Sequence, residues 1–198
     1  MVYNNSCDET WEERMWLEYI QKGEDEYFES LFKKYYLPLT RFAWRYVGSE
    51  AIAEELVQEL FTILWESRRE WEISGSVKSY LYRSVRNLSL NHIKHQEVKK
   101  RYDKEWGDGE TYSEIEFYDD AHLQQVRNAI KQAIDELPVQ SRMTYSLHRY
   151  DGLTYEEIAE VLEIPVKTVE SRMTRTLKQL RTRLSYLLPL LLVMLQAG

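Results

Sequence analysis

Residues 153–175 read "LTYEEIAEVLEIPVKTVESRMTR". Thr154 precedes an apolar run of helical spacing, and Glu157 follows it three positions on. This is a capping box: the Thr oxygen accepts from the backbone N–H three residues on, and the Glu carboxylate reaches back to the Thr N–H. The spacing predicts that Ile158, Ala159 and Leu162 face inward from one short helix, and Val169 and Met173 from a second, with Ile164 in the turn. Pro165 falls near the first turn of the second helix, where its missing N–H costs nothing and its fixed φ pre-forms the start. Ala159 stands where the helices must cross, and a larger side chain would push them apart. Two short helices, a tight turn and a small residue at the crossing form a helix-turn-helix pattern. Glu163 occupies the turn position where Gly is usual; if φ is positive there, Glu is strained by about 1 kcal/mol.

The second helix is expected to expose Lys167, Thr168, Glu170, Ser171, Arg172 and Arg175. Groove readers use these types: Arg for guanine edges and phosphates, Ser and Thr for phosphates, Glu for cytosine. A helical hairpin with a solvated charged face carries the same pattern, and helix-turn-helix geometry also occurs in proteins that bind no DNA. The rest of the chain has to decide.

The 198 residues suffice for one or two domains, Gly and Pro number only seven and four, and strand-like alternation is almost absent. An all-α fold of two helical domains is expected. Helical periodicity covers about 9–21, 25–47, 50–66, 77–100, 121–136, 139–149, 155–162 and 166–186. Pro38 is expected to kink or divide the second of these. Gly48 ends it, Ser49 and Ser76 are candidate N-caps, Pro138 suits a first turn, and Asp151-Gly152 marks a turn. Residues 67–76, "SRREWEISGS", break the pattern, and 103–120, "DKEWGDGETYSEIEFYDD", read as an acidic, aromatic linker. The expected organisation is an N-terminal helical extension (1–23), a first domain (24–100), a linker (101–120), a second domain (121–186) and an apolar tail (187–198).

The net charge of -7 argues against simple nucleic-acid binding, but it hides a pattern. Residues 1–67 carry net -8, 68–104 net +6, 105–137 net -7 and 138–198 net +2, with +5 concentrated in 167–183. Two basic islands alternate with two acidic blocks, which suggests distinct surfaces for distinct partners. The first island holds Arg68, Arg69 and Trp71 in the break, then Lys78, Arg83, Arg86, Asn87, Asn91 and Lys94 on a helix. Arg83, Asn87, Asn91 and Lys94 lie roughly on one face, opposite a stripe of Leu81, Val85 and Leu88. Cations beside exposed rings can grip unpaired DNA, with Trp71, Tyr80 and Tyr82 as candidate platforms, although a chain with 13% aromatics must bury most of them. In "EAIAEELVQELFTILWE" (50–66), Ile52, Leu56, Leu60 and Ile63 point one way while Glu54, Glu55, Gln58 and Glu59 form an acidic face. That face is either simply solvated or a dock for a basic helix.

One cysteine, Cys7, excludes a disulfide framework and a cysteine-rich zinc site, and reads as incidental. No secretory signal is expected, because no basic flank precedes an apolar run at the start. The apolar run 187–195 has nine residues, whereas a membrane span needs about twenty. No catalytic constellation, phosphate-binding Gly loop, cofactor site or metal site is expected; His92 and His95 lack a carboxylate to complete one.

Residues 32–66, "FKKYYLPLTRFAWRYVGSEAIAEELVQELFTILWE", resemble region 2 of bacterial sigma factors of the extracytoplasmic-function group. Residues 76–94, "SVKSYLYRSVRNLSLNHIK", are similar to the segment that follows in that region, and 133–181 to region 4. The resemblance implies a cytoplasmic transcription initiation factor with core RNA polymerase, promoter DNA and an anti-sigma protein as partners. It implies that Glu54, Glu55 and Gln58 face the polymerase clamp helices and that the loop 67–75 holds a flipped base of the minus-ten element. Arg83, Arg86, Asn87 and Asn91 would lie near the opening duplex, and Lys167, Thr168, Ser171, Arg172 and Arg175 in the minus-35 major groove. Two rivals stay open: a free-standing helix-turn-helix regulator, and an interaction protein that mimics a sigma factor. An enzyme is more distant, because no site is visible.

Overall fold

The computed structural model describes residues 6–71, 75–102 and 121–187. The expected linker from residue 103 to 120, residues 72–74 of the loop expected to hold a flipped base, and residues 188–198 of the apolar tail lie outside them. The chain divides into two compact units, 1–112 and 113–198. The described residues of the first form α1 (Ser6–Gln21), α2 (Asp25–Val47), α3 (Glu50–Glu66), a 3₁₀ turn (Arg68–Glu70) and α4 (Val77–Tyr102). Those of the second form α5 (Ala121–Asp135), α6 (Val139–Arg149), α7 (Tyr155–Leu162), α8 (Val166–Leu184) and a 3₁₀ turn (Ser185–Leu187). No strand occurs among the described residues.

In the first unit α2 packs on α1, α3 and α4. Its interior stripe is Leu31, Tyr35, Leu39, Phe42 and Ala43. Pro38 lies inside this helix without dividing it. An interior Pro costs about 3 kcal/mol, and burying a single large apolar side chain returns about 1.5–3 kcal/mol, so the stripe on both sides of Pro38 outweighs it. Gly48 closes α2 in the left-handed region at φ 68°, with its N–H donating to the Trp44 carbonyl at 2.8 Å. Ser49 holds the N-cap position of α3 without a side-chain bond, whereas Ser76 Oγ accepts from Ser79 N–H at 3.2 Å and caps α4. Val57, Leu64, Leu81 and Val85 complete the core, and Phe28, Phe32 and Phe61 meet edge to face beside it.

The first helix is bonded into this bundle. The buried Glu13 carboxylate accepts from the Tyr35 hydroxyl and from Lys34 Nζ, the latter at 2.9 Å. Lys34 Nζ also lies over the Trp16 and Tyr35 rings. Gln21 Nε2 donates to the Trp71 carbonyl at 2.8 Å, tying the end of α1 to the segment after α3. A buried acceptor of this kind is costly to delete, because its loss removes two bonds to an ionised carboxylate, from the Tyr35 hydroxyl and from Lys34 Nζ.

Glu13→Ala is therefore expected to destabilise the first unit by about 2 kcal/mol. All six Trp residues precede residue 113, so urea unfolding followed by tryptophan fluorescence reads that unit. An unchanged midpoint would show that α1 adds nothing to the bundle.

Candidate nucleic-acid interface

In the second unit both halves of the capping box form. Glu157 N–H donates to Thr154 Oγ1 at 3.2 Å, and Thr154 N–H donates to Glu157 Oε2 at 2.8 Å. Ile158 and Ala159 are buried as the spacing predicts, but Val161 takes the third interior place and Leu162 is only half-buried. The apolar run "VL" permits either rotation, and packing against α6 and α8 selects Val161.

Glu163 adopts φ 56° and ψ 47°, and it is the one non-Gly residue with positive φ among the described residues. Two bonds hold the turn: Glu163 N–H to the Glu160 carbonyl at 3.3 Å, and Ile164 N–H to the Ala159 carbonyl at 3.0 Å. The expected strain at this residue, about 1 kcal/mol, is thus present. Pro165 stands one residue earlier than a first-turn position, at the N-cap with ψ 142°, and Pro138 does the same for α6 with ψ 139°. Their carbonyls accept the first helical bonds, from Thr168 N–H at 2.8 Å and from Arg142 N–H at 2.9 Å.

Val169, Met173, Thr176 and Leu180 bury one side of α8 against α5, α6 and α7. That fixes the rotation of the helix. Lys167, Glu170, Ser171, Thr174, Arg175 and Lys178 are exposed. At about 100° per residue, Lys167, Ser171, Thr174 and Lys178 form the centre of the outer face. Thr168 and Arg172 are half-buried on one flank. Arg172 Nη2 there donates to Gln140 Oε1 of α6 at 2.7 Å.

In the first unit α4 brings Arg83, Asn87, Asn91 and Lys94 to one exposed face, with the partly exposed Leu90 among them. Arg86 is half-buried on its flank and donates to the Tyr46 hydroxyl. Lys78, half-buried in the first turn of α4, lies about 140° round the helix from Arg83 and so outside that face. Arg68 covers the Trp65 ring at 4.1 Å and donates from Nη1 to the Trp65 carbonyl at 2.6 Å, while Arg69 is exposed.

The expected stacking platforms need correction. Tyr82 is 1% exposed and packs on Phe42, and Trp71 is 8% exposed. Both rings belong to the core, so neither offers a face to a base; Tyr80 keeps partial exposure. Their apolar area was worth more against α1 and α2 than in solvent.

On α3, Glu55, Gln58 and Glu59 are exposed on one face, and Glu54 is half-buried at its edge. Gln58 Nε2 reaches the Tyr36 hydroxyl of α2 at 3.5 Å, a neighbour that the sequence pattern did not single out. Ile63, expected inside, is 46% exposed, because Ala53, Val57, Phe61 and Leu64 share the interior with Leu56 and Leu60. Among the described residues no group of three His, Cys, Asp or Glu side chains is arranged to hold a metal ion, and no helix is long and apolar enough to cross a membrane.

Residues 31–98 match the family model for sigma-70 region 2, and residues 127–180 the model for sigma-70 region 4. The ECF RNA polymerase sigma-E factor of Escherichia coli strain K12 is 29% identical over 167 residues, which cover 80% of this chain and 87% of that protein. The RNA polymerase sigma-H factor of Pseudomonas aeruginosa strain PAO1 is 28% identical over 167 residues, covering 80% and 86%. In fold the chain is similar to the sigma factor RpoE of Bartonella quintana, solved with the anti-sigma factor NepR. The TM-score is 0.61 at 21% identity, over 80% of this chain and 96% of that one.

Burial raises the pKa of Tyr46 above its ordinary value of 10.0, against the opposing pull of Arg86 and Arg45. A raised folded pKa gives stability that is complete below the unfolded value and is lost as pH rises through the folded one. The first unit is expected to lose stability above pH 10.0 more steeply than its Tyr46→Phe variant. Equal slopes in urea titrations above that pH would contradict the burial of this hydroxyl.

Proposed function

The chain belongs to the sigma-70 family, in its extracytoplasmic-function branch, and from that premise we propose that it carries core RNA polymerase to a class of promoters and helps nucleate strand opening there. The observation that carries this reading is the presence in one chain of both family regions, 31–98 and 127–180, the second with a cationic outer face on α8. A free-standing helix-turn-helix regulator would account for the second region and leave the first without a purpose.

The roles follow the two units. The acidic face of α3, with Glu54, Glu55 and Gln58, docks on a basic helical surface of the polymerase. The face of α4, with Arg83, Asn87 and Asn91, meets the minus-ten element, with Arg86 on its flank and Arg68, Arg69 and Lys78 adding positive potential nearby. Trp71 contributes by packing. On α8, Lys167, Thr168, Ser171, Arg172 and Arg175 engage the minus-35 element. The chain supplies binding and positioning, and nucleotide chemistry is left to the polymerase. It works in the cytoplasm, where its template lies.

The charge supports this division of labour. A net charge of -7 repels phosphate, so the small basic patches bind free DNA weakly. Each phosphate contact adds about -0.9 to the salt slope, and only a few are on offer. Two weak readers held on one scaffold gain from effective concentration. The polymerase is that scaffold. An anti-sigma protein, of the kind seen with the Bartonella quintana sigma factor, completes the set of partners by covering one or more of these faces.

The double variant Glu55→Lys, Gln58→Ala is expected to weaken core polymerase binding about tenfold or more, as like charges oppose across the dock. Competition against the wild-type chain for purified core enzyme measures it, and an unchanged affinity removes the docking assignment. Arg175→Ala is expected to do the reverse: polymerase binding holds, and run-off transcription falls on promoters with the cognate minus-35 element. Tight promoter binding by the protein alone, in a gel shift without polymerase, would instead favour a free-standing regulator.

A further inference from the structure

We infer that Gln140 is a positioning residue for promoter binding: it holds Arg172 on the flank of α8, so that Arg172 grips a backbone phosphate and reads no base. This rests on the reading that α8 enters the minus-35 groove.

Three observations carry it. The first is rotational. Burial of Val169, Met173, Thr176 and Leu180 fixes α8 so that Lys167, Ser171, Thr174 and Lys178 lead outward. Arg172 lies about 130° round the helix from the middle of that stripe. When the stripe faces the base edges, a side chain on the flank meets the wall of the groove, and that wall is phosphate.

The second is the bond itself. Arg172 Nη2 donates to Gln140 Oε1 at 2.7 Å across a sequence separation of 32. It uses one of five guanidinium donors, and the rest stay available to an anion.

The third is the contrast with two arginines of this unit that are paired with carboxylates. Arg142 lies 3.7 Å from the Asp135 carboxylate, and Arg183 is paired with Glu136. Those charges are partly neutralised within the fold. Arg172 is held by a neutral amide, which orients the guanidinium without spending its charge, and no carboxylate among the described residues forms an ion pair with it.

The test uses the full-length chain with core polymerase, a panel of single-base variants of the cognate minus-35 element, and a salt series. Arg172→Ala is expected to lower promoter affinity by the same factor on every panel member and to reduce the salt slope by about 1. Gln140→Ala is expected to cost less, about 3-fold, with the same flat profile, and to add nothing in the Arg172→Ala background. Gln140→Glu keeps the bond but neutralises the cation, so it should reduce the salt slope as Arg172→Ala does, an effect that loss of packing would not produce.

A base-dependent loss in Arg172→Ala, additive losses in the double variant, or a wild-type salt slope in Gln140→Glu would each overturn the inference. Failure of the underlying reading has a different signature. Lys167→Ala and Arg175→Ala would then leave minus-35 dependence intact, and the inference falls with it.

Discussion

The burial of one side of α8 decides what the second unit can do. Val169, Met173, Thr176 and Leu180 pack against α5, α6 and α7, and each large apolar side chain removed from water there is worth about 1.5–3 kcal/mol. Once that side is committed, the helix cannot turn about its axis. The opposite side is then a rigid display of Lys167, Ser171, Thr174 and Lys178. Rigidity matters because side chains locked in advance lose less freedom when they meet DNA. The strained turn at Glu163 is part of the same device. A cost of about 1 kcal/mol at one residue sets the crossing of α7 and α8, which the buried side chains on both helices more than offset.

The first unit applies the same logic with different surfaces. The core of the bundle takes Tyr35, Phe42, Phe61, Trp71 and Tyr82, and leaves polar faces outside. The outer face of α3 is acidic and that of α4 is basic and amide-rich. Faces of opposite sign on neighbouring helices of one bundle suit a protein that must hold a positively charged protein surface and a nucleic acid together. Neither face is large. That is why the chain can be acidic overall and still belong to a family of promoter-reading factors.

The local signals are legible in the sequence. Capping at Thr154 and Glu157, the Gly48 stop, and the bounds of α3, α6 and α7 depend on contacts within one or two turns, so residue identity and spacing reveal them. Helix rotation is less legible. Where apolar residues are plentiful, several rotations of a helix satisfy a 3.6-residue period, and only the neighbouring helices choose among them. Ile63 outside and Val161 in the place expected of Leu162 have that origin, whereas α2 runs unbroken through Pro38 because the buried stripe on both sides of it outweighs the lost bond.

The sequence by itself determined that the chain is helical, that two basic islands sit between acidic blocks, and that a helix-turn-helix lies near its end, because each of these follows from local spacing and composition. Only the tertiary structure decided which rings are core, that Gln140 meets Arg172, and that Glu13 joins Tyr35 and Lys34. Those partners lie 21 to 32 residues apart. No local periodicity links residues at such separations; packing of whole helices against one another brings them within bonding distance.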